Sequence, residues 1–190
     1  MLNNETSPKN KIRAFICLDF PPEIIKESAR IQAQIESKNL FTGKITEPEN
    51  LHITLKFLGE IEKEKIETIK QKLSKIKFSP LNLHLESVGV FNFKGNPRIL
   101  WLKVAGKEIF NLQKQIDLSL KEEFPPEKRF MSHLTIARIK FTKDKKYFFE
   151  YLKSIKCKKI KFQVNSFHLK QSTLKRFGPV YEIIESYNSA

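Results

Sequence analysis

Two stretches of the sequence, LHITLKFLG from Leu51 and SHLTIARIK from Ser132, each hold a histidine, one residue and then a threonine. The chain has four histidines, and two of them, His52 and His133, sit in these copies, 133 − 52 = 81 residues apart. Both stretches alternate apolar and other residues, so each is predicted to be a strand, in which residues i and i+2 share a face. His52 then points with Thr54 and Lys56, and His133 points with Thr135. An imidazole, with an ordinary pKa of about 6.5, gives or takes a proton near neutral pH. If the two copies face each other across a cleft, one neutral imidazole serves as base and one protonated imidazole as acid. The two threonine hydroxyls can hydrogen-bond to non-bridging oxygens. That set suits an in-line displacement at phosphorus, with one histidine activating the nucleophile and the other protonating the leaving oxygen. A zinc centre would ordinarily need a third protein ligand. Glu49 and Glu60 only flank the first strand, and Cys17 and Cys157 are isolated, so neither a metal nor another cofactor is expected.

The elements that must hold these residues repeat in order. KIRAFICLDF reads as a strand, Pro21 and Pro22 open a helix to about Ser37, and the first HxT strand follows. Gly59 is expected to end that strand. A lysine-rich helix then carries the stripe Ile66, Ile69, Leu73 and Ile76, and LNLHLESVGVF and RILWLKV read as a hairpin around NFKGNP. A helix from about Lys107 to Glu122 leads to the second HxT strand. After it come a helix in KDKKYFFEYLKSI, a strand KIKFQVNSFHLKQS, a turn LKRFGP and a return strand VYEIIESY. His84 follows His52 by 84 − 52 = 32 residues, and His168 follows His133 by 168 − 133 = 35. All four histidines thus fall into two equivalent pairs in a duplicated unit. His84 and His168 lack the threonine and read as structural or rim residues. Trp101 and most phenylalanines read as core, with Phe41 a candidate to stack on a base at the cleft.

The 190 residues suit one domain or two small lobes sharing a core. Residues 1–10 are expected to be a disordered tail, and 11–190 a single bilobal domain with its HxT units starting near 51 and 132. Lys and Arg outnumber Asp and Glu by 35 to 21, a formal net charge of +14, which favours a polyanionic partner. The polar start MLNNETSPKNK and the short apolar run AFICL fit neither a signal peptide's core nor a membrane span, so a cytoplasmic location is the expectation.

At these residues the sequence resembles the two-histidine (2H) phosphoesterase superfamily, whose signature is a pair of H-x-[ST]-x motifs in a duplicated fold. It is most similar to the RNA 2′,3′-cyclic phosphodiesterase branch, once called bacterial or archaeal 2′–5′ RNA ligases. RAFICLDFPPEI, ENLHITLKFLGEI, VGVF with PRILWLKV, SHLTIARIK and SFHLKQSTLKRFGPVYEII match that branch's blocks in order, from Arg13 to Tyr187. The resemblance implies that His52 is the proton donor and His133 the proton acceptor, with Thr54 and Thr135 binding substrate. It implies hydrolysis of an RNA 2′,3′-cyclic phosphate to a 2′-phosphomonoester, without a metal, and weak reverse 2′–5′ ligation at the same site. Ser132 departs from the family's usual proline. Arg138 matches a family arginine, yet strict alternation turns it away from His133 unless a bulge intervenes. Lys56 is a further candidate for substrate. The expected fold is α+β: two pseudo-two-fold-related lobes of mostly antiparallel sheet around a central cleft, with helices outside. The expected partners are RNA ends carrying a 2′,3′-cyclic phosphate, tRNA-derived ends among them, with no membrane and no obligate protein partner. Two alternatives stay open: a non-catalytic RNA-end-binding protein, and a sibling enzyme acting on a small cyclic nucleotide or a 2′–5′ oligonucleotide.

Overall fold

In a computed structural model the described residues are 10–190. Residues 1–9, and with them nearly all of the expected tail, lie outside the described residues. The elements run β1 (Lys11–Leu18), α1 (Pro22–Glu36), β2 (Phe41–Ile45), β3 (Ile53–Glu62), α2 (Lys65–Leu73), β4 (Leu81–Phe93), β5 (Asn96–Ala105), α3 (Glu108–Ser119), β6 (His133–Thr142), α4 (Lys145–Ser154), β7 (Lys161–Val164), β8 (Ser166–Lys175) and β9 (Gly178–Asn188). A 3₁₀ turn, Pro48–Asn50, precedes β3. The strands form two antiparallel sheets, β3-β1-β8-β9 and β2-β6-β5-β4-β7. The class is α+β, as expected.

Three strands of one sheet match three of the other. β3-β1-β8 in one corresponds to β6-β5-β4 in the other, and α1 and α2 correspond to α3 and α4. The halves of the chain are nevertheless not the lobes. β4 follows the first HxT strand yet pairs with β5 in the five-stranded sheet, while β8 follows the second and pairs with β1 in the four-stranded one. Each half therefore donates a strand to the other's sheet.

One apolar face of each sheet is buried with the helices. Ile24, Ile31 and Ile35 of α1, Ile109, Leu112 and Ile116 of α3, and Phe148 of α4 join Ile53, Leu55, Leu134 and Ile136 in one continuous core. The helices need little local help for this. Pro22 opens α1 with its φ already preset, and the Asp144 carboxylate caps α4 by accepting from the Tyr147 N–H (2.9 Å).

Three local readings differ from expectation. KIKFQVNSFHLKQS is two strands: the chain breaks at Asn165, and β7 and β8 enter different sheets, so one alternating run hides a change of sheet. β2 and the Pro48–Asn50 turn carry no clear periodic signal and were not anticipated. Gly59 does not end β3. It sits within the strand at φ +72°, where the register with β1 slips past Leu58, and glycine adopts that left-handed backbone without a Cβ penalty.

Candidate active site

A cavity of about 640 Å³ lies between the sheets, of a size suited to a nucleotide. His52 and Thr54 line it from β3 and its approach, and His133 and Thr135 from β6. The two HxT copies thus face a common space.

The imidazoles are oriented by the same device. The His52 Nδ1–H donates to the Asn50 carbonyl (2.8 Å), and the His133 Nδ1–H donates to the Met131 carbonyl (2.7 Å). Each accepting carbonyl lies two residues before its histidine, just ahead of the strand. This bond selects the Nδ1–H tautomer when the ring is neutral and leaves Nε2 as the reactive nitrogen. Nε2 of His52 lies 3.1 Å from the Thr54 hydroxyl. Nε2 of His133 makes no side-chain hydrogen bond among the described residues.

Their surroundings differ. The His52 ring is packed between Phe15 (centroids 5.0 Å) and Tyr181 (5.2 Å, edge-on). Loss of hydration there pushes its pKa down to about 4, and the Asn50 hydrogen bond only partly opposes this. His133 packs edge-on against Phe91 (5.0 Å), and burial again lowers its pKa, aided by the Arg138 charge. Phe91 in turn rests on Trp101, which can lie flat only because its strand neighbour is Gly89: a Cβ there would fall 2.1 Å from the indole.

Bulges decide which other residues reach the cavity. On β6, Thr135 pairs with Trp101 and Ala137 with Leu100, so Ile136 is the extra residue. The alternation resets there, and Arg138 falls on the face of His133 and Thr135, lining the cavity. The buried Gln32 side chain of α1 fixes this bulge: its amide donates to the Ile136 carbonyl (2.9 Å) and to the Thr46 carbonyl (2.8 Å). On β3 the equivalent extra residue is Leu55, and the strand is reset in the same way but with other residues. Phe57, 65% exposed, takes the place corresponding to Arg138, beside Phe15.

The same slip corrects the placement of Lys56. Expected beside His52, it pairs with the core-facing Ile16 and is only 3% exposed. Its ammonium is bound by the Asp117 carboxylate of α3 and by the Pro125 carbonyl (2.8 Å). Asp117 also accepts from the Glu127 N–H (2.9 Å) and from Gln113 (2.7 Å), so the network anchors the loop that brings Arg129, Phe130 and Met131 to the cavity.

Phe41 is likewise not at the cavity. It packs on Phe148 of α4, because β2 pairs with the far end of β6, Phe41 opposite Thr142. His84 and His168 do not line the cavity either, and His168 bonds Ser186 (2.8 Å) and lies near Asp19 (3.8 Å). Ser132 is buried beside His133, and its carbonyl accepts from the Val104 N–H (3.3 Å).

Sequence reasoning missed Phe15, Tyr181, Arg13 and Arg129. Arg13, Phe15 and Cys17 alternate along β1, so their common face was legible; that it faced the histidines was not. Gln32 did leave a signal, since 113 − 32 = 81, the offset of the histidines, and Gln113 is its counterpart. Among the described residues no cluster of three His, Cys, Asp or Glu stands ready to hold a metal ion, and no helix is long and apolar enough to cross a membrane.

What the arrangement can do is proton transfer at both ends of an anionic group held by hydroxyls and Arg138. Comparison with known proteins identifies the family. The chain is 33% identical to an RNA 2′,3′-cyclic phosphodiesterase of Methanocaldococcus jannaschii, over 93% of this chain and 100% of that one. It is 36% identical to the Aquifex aeolicus protein of the same name, over 93% and 96%. Among solved structures, TT0787 of Thermus thermophilus superposes with a TM-score of 0.77 at 23% identity, covering 93% of this chain and 97% of that one. The family profile described as LigT like Phosphoesterase matches residues 18–101 and again 103–181, one match on each HxT half, so the chain belongs to the LigT-like phosphoesterases of the two-histidine superfamily.

Proposed function

We propose that this protein is an RNA 2′,3′-cyclic phosphodiesterase that opens the cyclic phosphate to a 2′-phosphomonoester by histidine acid–base catalysis without a metal. The observation that carries the proposal is the matched pair of imidazoles in one cavity, each with Nδ1–H tied to the carbonyl two residues earlier. In this scheme His133 takes a proton from water through Nε2 as the water oxygen bonds to phosphorus. The bond from phosphorus to the 3′ oxygen breaks, and His52 delivers its proton to that oxygen. Thr54 and Thr135 hold the non-bridging oxygens, and Arg138 balances their charge. Lys56 takes no part, since Asp117 occupies its ammonium.

The low pKa of His52 bears on its role. An acid with a pKa of about 4 is scarcely protonated at neutral pH, so the negative charge of the bound phosphodiester must raise it. Running the reaction backwards with a 5′-hydroxyl in place of water gives weak 2′–5′ ligation at the same atoms. The proposed substrates are RNA ends, tRNA-derived ones included, met in the cytoplasm without an obligate protein partner.

The test is product analysis on an oligoribonucleotide ending in a 2′,3′-cyclic phosphate, with chelator present. The expected product by phosphorus NMR is the 2′-phosphate. His52→Ala and His133→Ala should each lower turnover by roughly 10²–10⁴, and together by less than the product of the two. A dominant 3′-phosphate would reverse the donor and acceptor roles. Loss of activity with chelator, restored by a divalent ion, would overturn the metal-free scheme.

A further inference from the structure

The β8–β9 hairpin ends in Leu174, Lys175, Arg176, Phe177 and Gly178. Its tip is unusual in two respects. Phe177 is 84% exposed and Leu174 70%, so the tip presents apolar surface to water instead of burying it. The tip is also pinned. The Phe177 carbonyl accepts from the Lys44 ammonium, and the Pro179 carbonyl accepts from the Asn50 amide (3.2 Å). Asn50 is the residue whose own carbonyl holds the His52 ring (2.8 Å). Leu174 and Pro179, on either side of the turn, line the catalytic cavity. The exposed ring therefore stands at the cavity mouth, tied to the catalytic histidine through one asparagine.

The charge around the ring is positive. The Arg176 guanidinium lies over its face at 5.8 Å, Lys175 precedes it, and Lys44 and Arg13 lie along the adjoining cavity edge. The neighbouring carboxylate, Glu47, is paired with Lys44. An exposed aromatic ring among cations is the composition of a single-strand nucleic-acid platform, where a base stacks and phosphates run beside the cations. The same charge disfavours a second copy of this chain, which itself carries +14.

We propose that the β8–β9 tip is a stacking platform for the single-stranded RNA leading to the reacting end, with Phe177 receiving a base upstream of the terminal nucleotide. The proposal rests on the phosphodiesterase reading for the orientation of the RNA, and it makes the preferred substrate an oligonucleotide rather than a mononucleotide. The β4–β5 tip is an internal control. Phe93 is 61% exposed with Lys94 at 5.5 Å from its ring, the same chemistry, but no residue of its turn lines the cavity, whereas Leu174 and Pro179 on either side of Phe177 do.

The experiment compares a nucleoside 2′,3′-cyclic monophosphate with a single-stranded oligoribonucleotide of about six residues ending in the cyclic phosphate. Phe177→Ala should raise KM for the oligonucleotide roughly tenfold, the scale of one stacked base, with kcat for it and both constants for the mononucleotide unchanged. Phe177→Trp should keep oligonucleotide affinity. Phe177→Leu, apolar but without a π-face, should lose it, and Phe93→Ala should behave as the unmodified protein. An unchanged oligonucleotide KM in Phe177→Ala, an equal change for both substrates, or an equal loss in Phe93→Ala would overturn the platform. If the unmodified protein hydrolyses neither substrate, the phosphodiesterase reading fails by itself. Fluorescence anisotropy with a 2′-phosphate-ended oligonucleotide then decides the platform: weaker binding by Phe177→Ala sustains it, and unchanged binding overturns it. A concentration-dependent dimer that Phe177→Ala abolishes would assign the ring to a second copy and also overturn it.

Discussion

At the scale of single residues, His52 and His133 are held by the same hydrogen bond and perturbed by different walls. Phe15 and Tyr181 strip water from His52, whose pKa falls to about 4, while Phe91 and Arg138 act on His133. Both pKa values lie below the ordinary 6.5 in the unliganded protein, so both rings are neutral at pH 7. On the proposed roles, the base is ready and the acid is not. The profile of kcat/KM reports the free enzyme and that of kcat the complex. Activity measured as kcat/KM should therefore already be falling with pH at neutrality, because the protonated His52 it needs becomes rare above about 4. In the complex, where the substrate anion raises the His52 pKa, kcat should persist to higher pH. Initial rates at limiting and saturating substrate across pH 4–9 check this, and coincident alkaline limbs would show that the bound phosphate does not recharge His52. Tyr181 bears on the same balance: Tyr181→Leu keeps the apolar wall and should leave the gap between the two limbs in place.

At the scale of elements, two bulges do what strand alternation could not. Ile136 turns Arg138 to the cavity face, and Leu55 turns Lys56 toward the core, where Asp117 binds it. Gln32 holds the first of these by donating to two buried carbonyls. Gln32→Leu fits the site in size but leaves the Thr46 carbonyl without its donor and the Ile136 carbonyl with the Thr46 N–H alone (3.0 Å), at a cost of about 1 kcal/mol. The bulge can then relax toward regular alternation and take Arg138 away from the cavity. In that background Arg138→Ala should add little to the rise in KM that it causes alone. A double-mutant cycle on KM, with thermal unfolding in parallel, checks both halves of this expectation. The pattern of successes in the sequence follows the same physics. His52, Thr54, His133 and Thr135 precede the bulges, so simple alternation placed them correctly. Lys56 and Arg138 follow the bulges, and alternation alone misplaced both. Helices α1 and α2 were legible because their isoleucines recur at helical spacing against a core. β2 and the Pro48–Asn50 turn were not, because a half-buried FTGKI has neither alternation nor a continuous apolar run. The division between β7 and β8 was invisible for another reason: a strand's periodicity records which face is buried, not which sheet it joins.

At the scale of the whole molecule, the exchanged strands make the two sheets unequal in how they assemble. The inner strands of the five-stranded sheet, β4, β5 and β6, come from one contiguous stretch, Leu81–Thr142. The inner strands of the four-stranded sheet come from the two ends of the chain, since β1 lies between β3 and β8. Contacts between sequence-distant segments carry the larger loop-closure cost and form later. Amides of β5 around Leu100–Val104 are expected to gain protection during refolding before those of β1 around Phe15–Leu18. Pulse-labelled hydrogen exchange checks this, and simultaneous protection would mean that the sheets fold as one unit.

The place of β1 also has a consequence on the ribosome. Synthesis delivers Phe15, Ile16, Cys17 and Leu18 within the first strand, but their second neighbour, β8, begins only at Ser166. At ~5–20 residues per second, the unpaired edge of β1 waits roughly 5–20 s after β3 is complete. An open apolar strand edge is a template for pairing with another nascent chain. The arrangement that builds one catalytic cleft from two intertwined halves thus exposes its first strand longest during birth, and rapid completion of the C-terminal hairpin is what protects it.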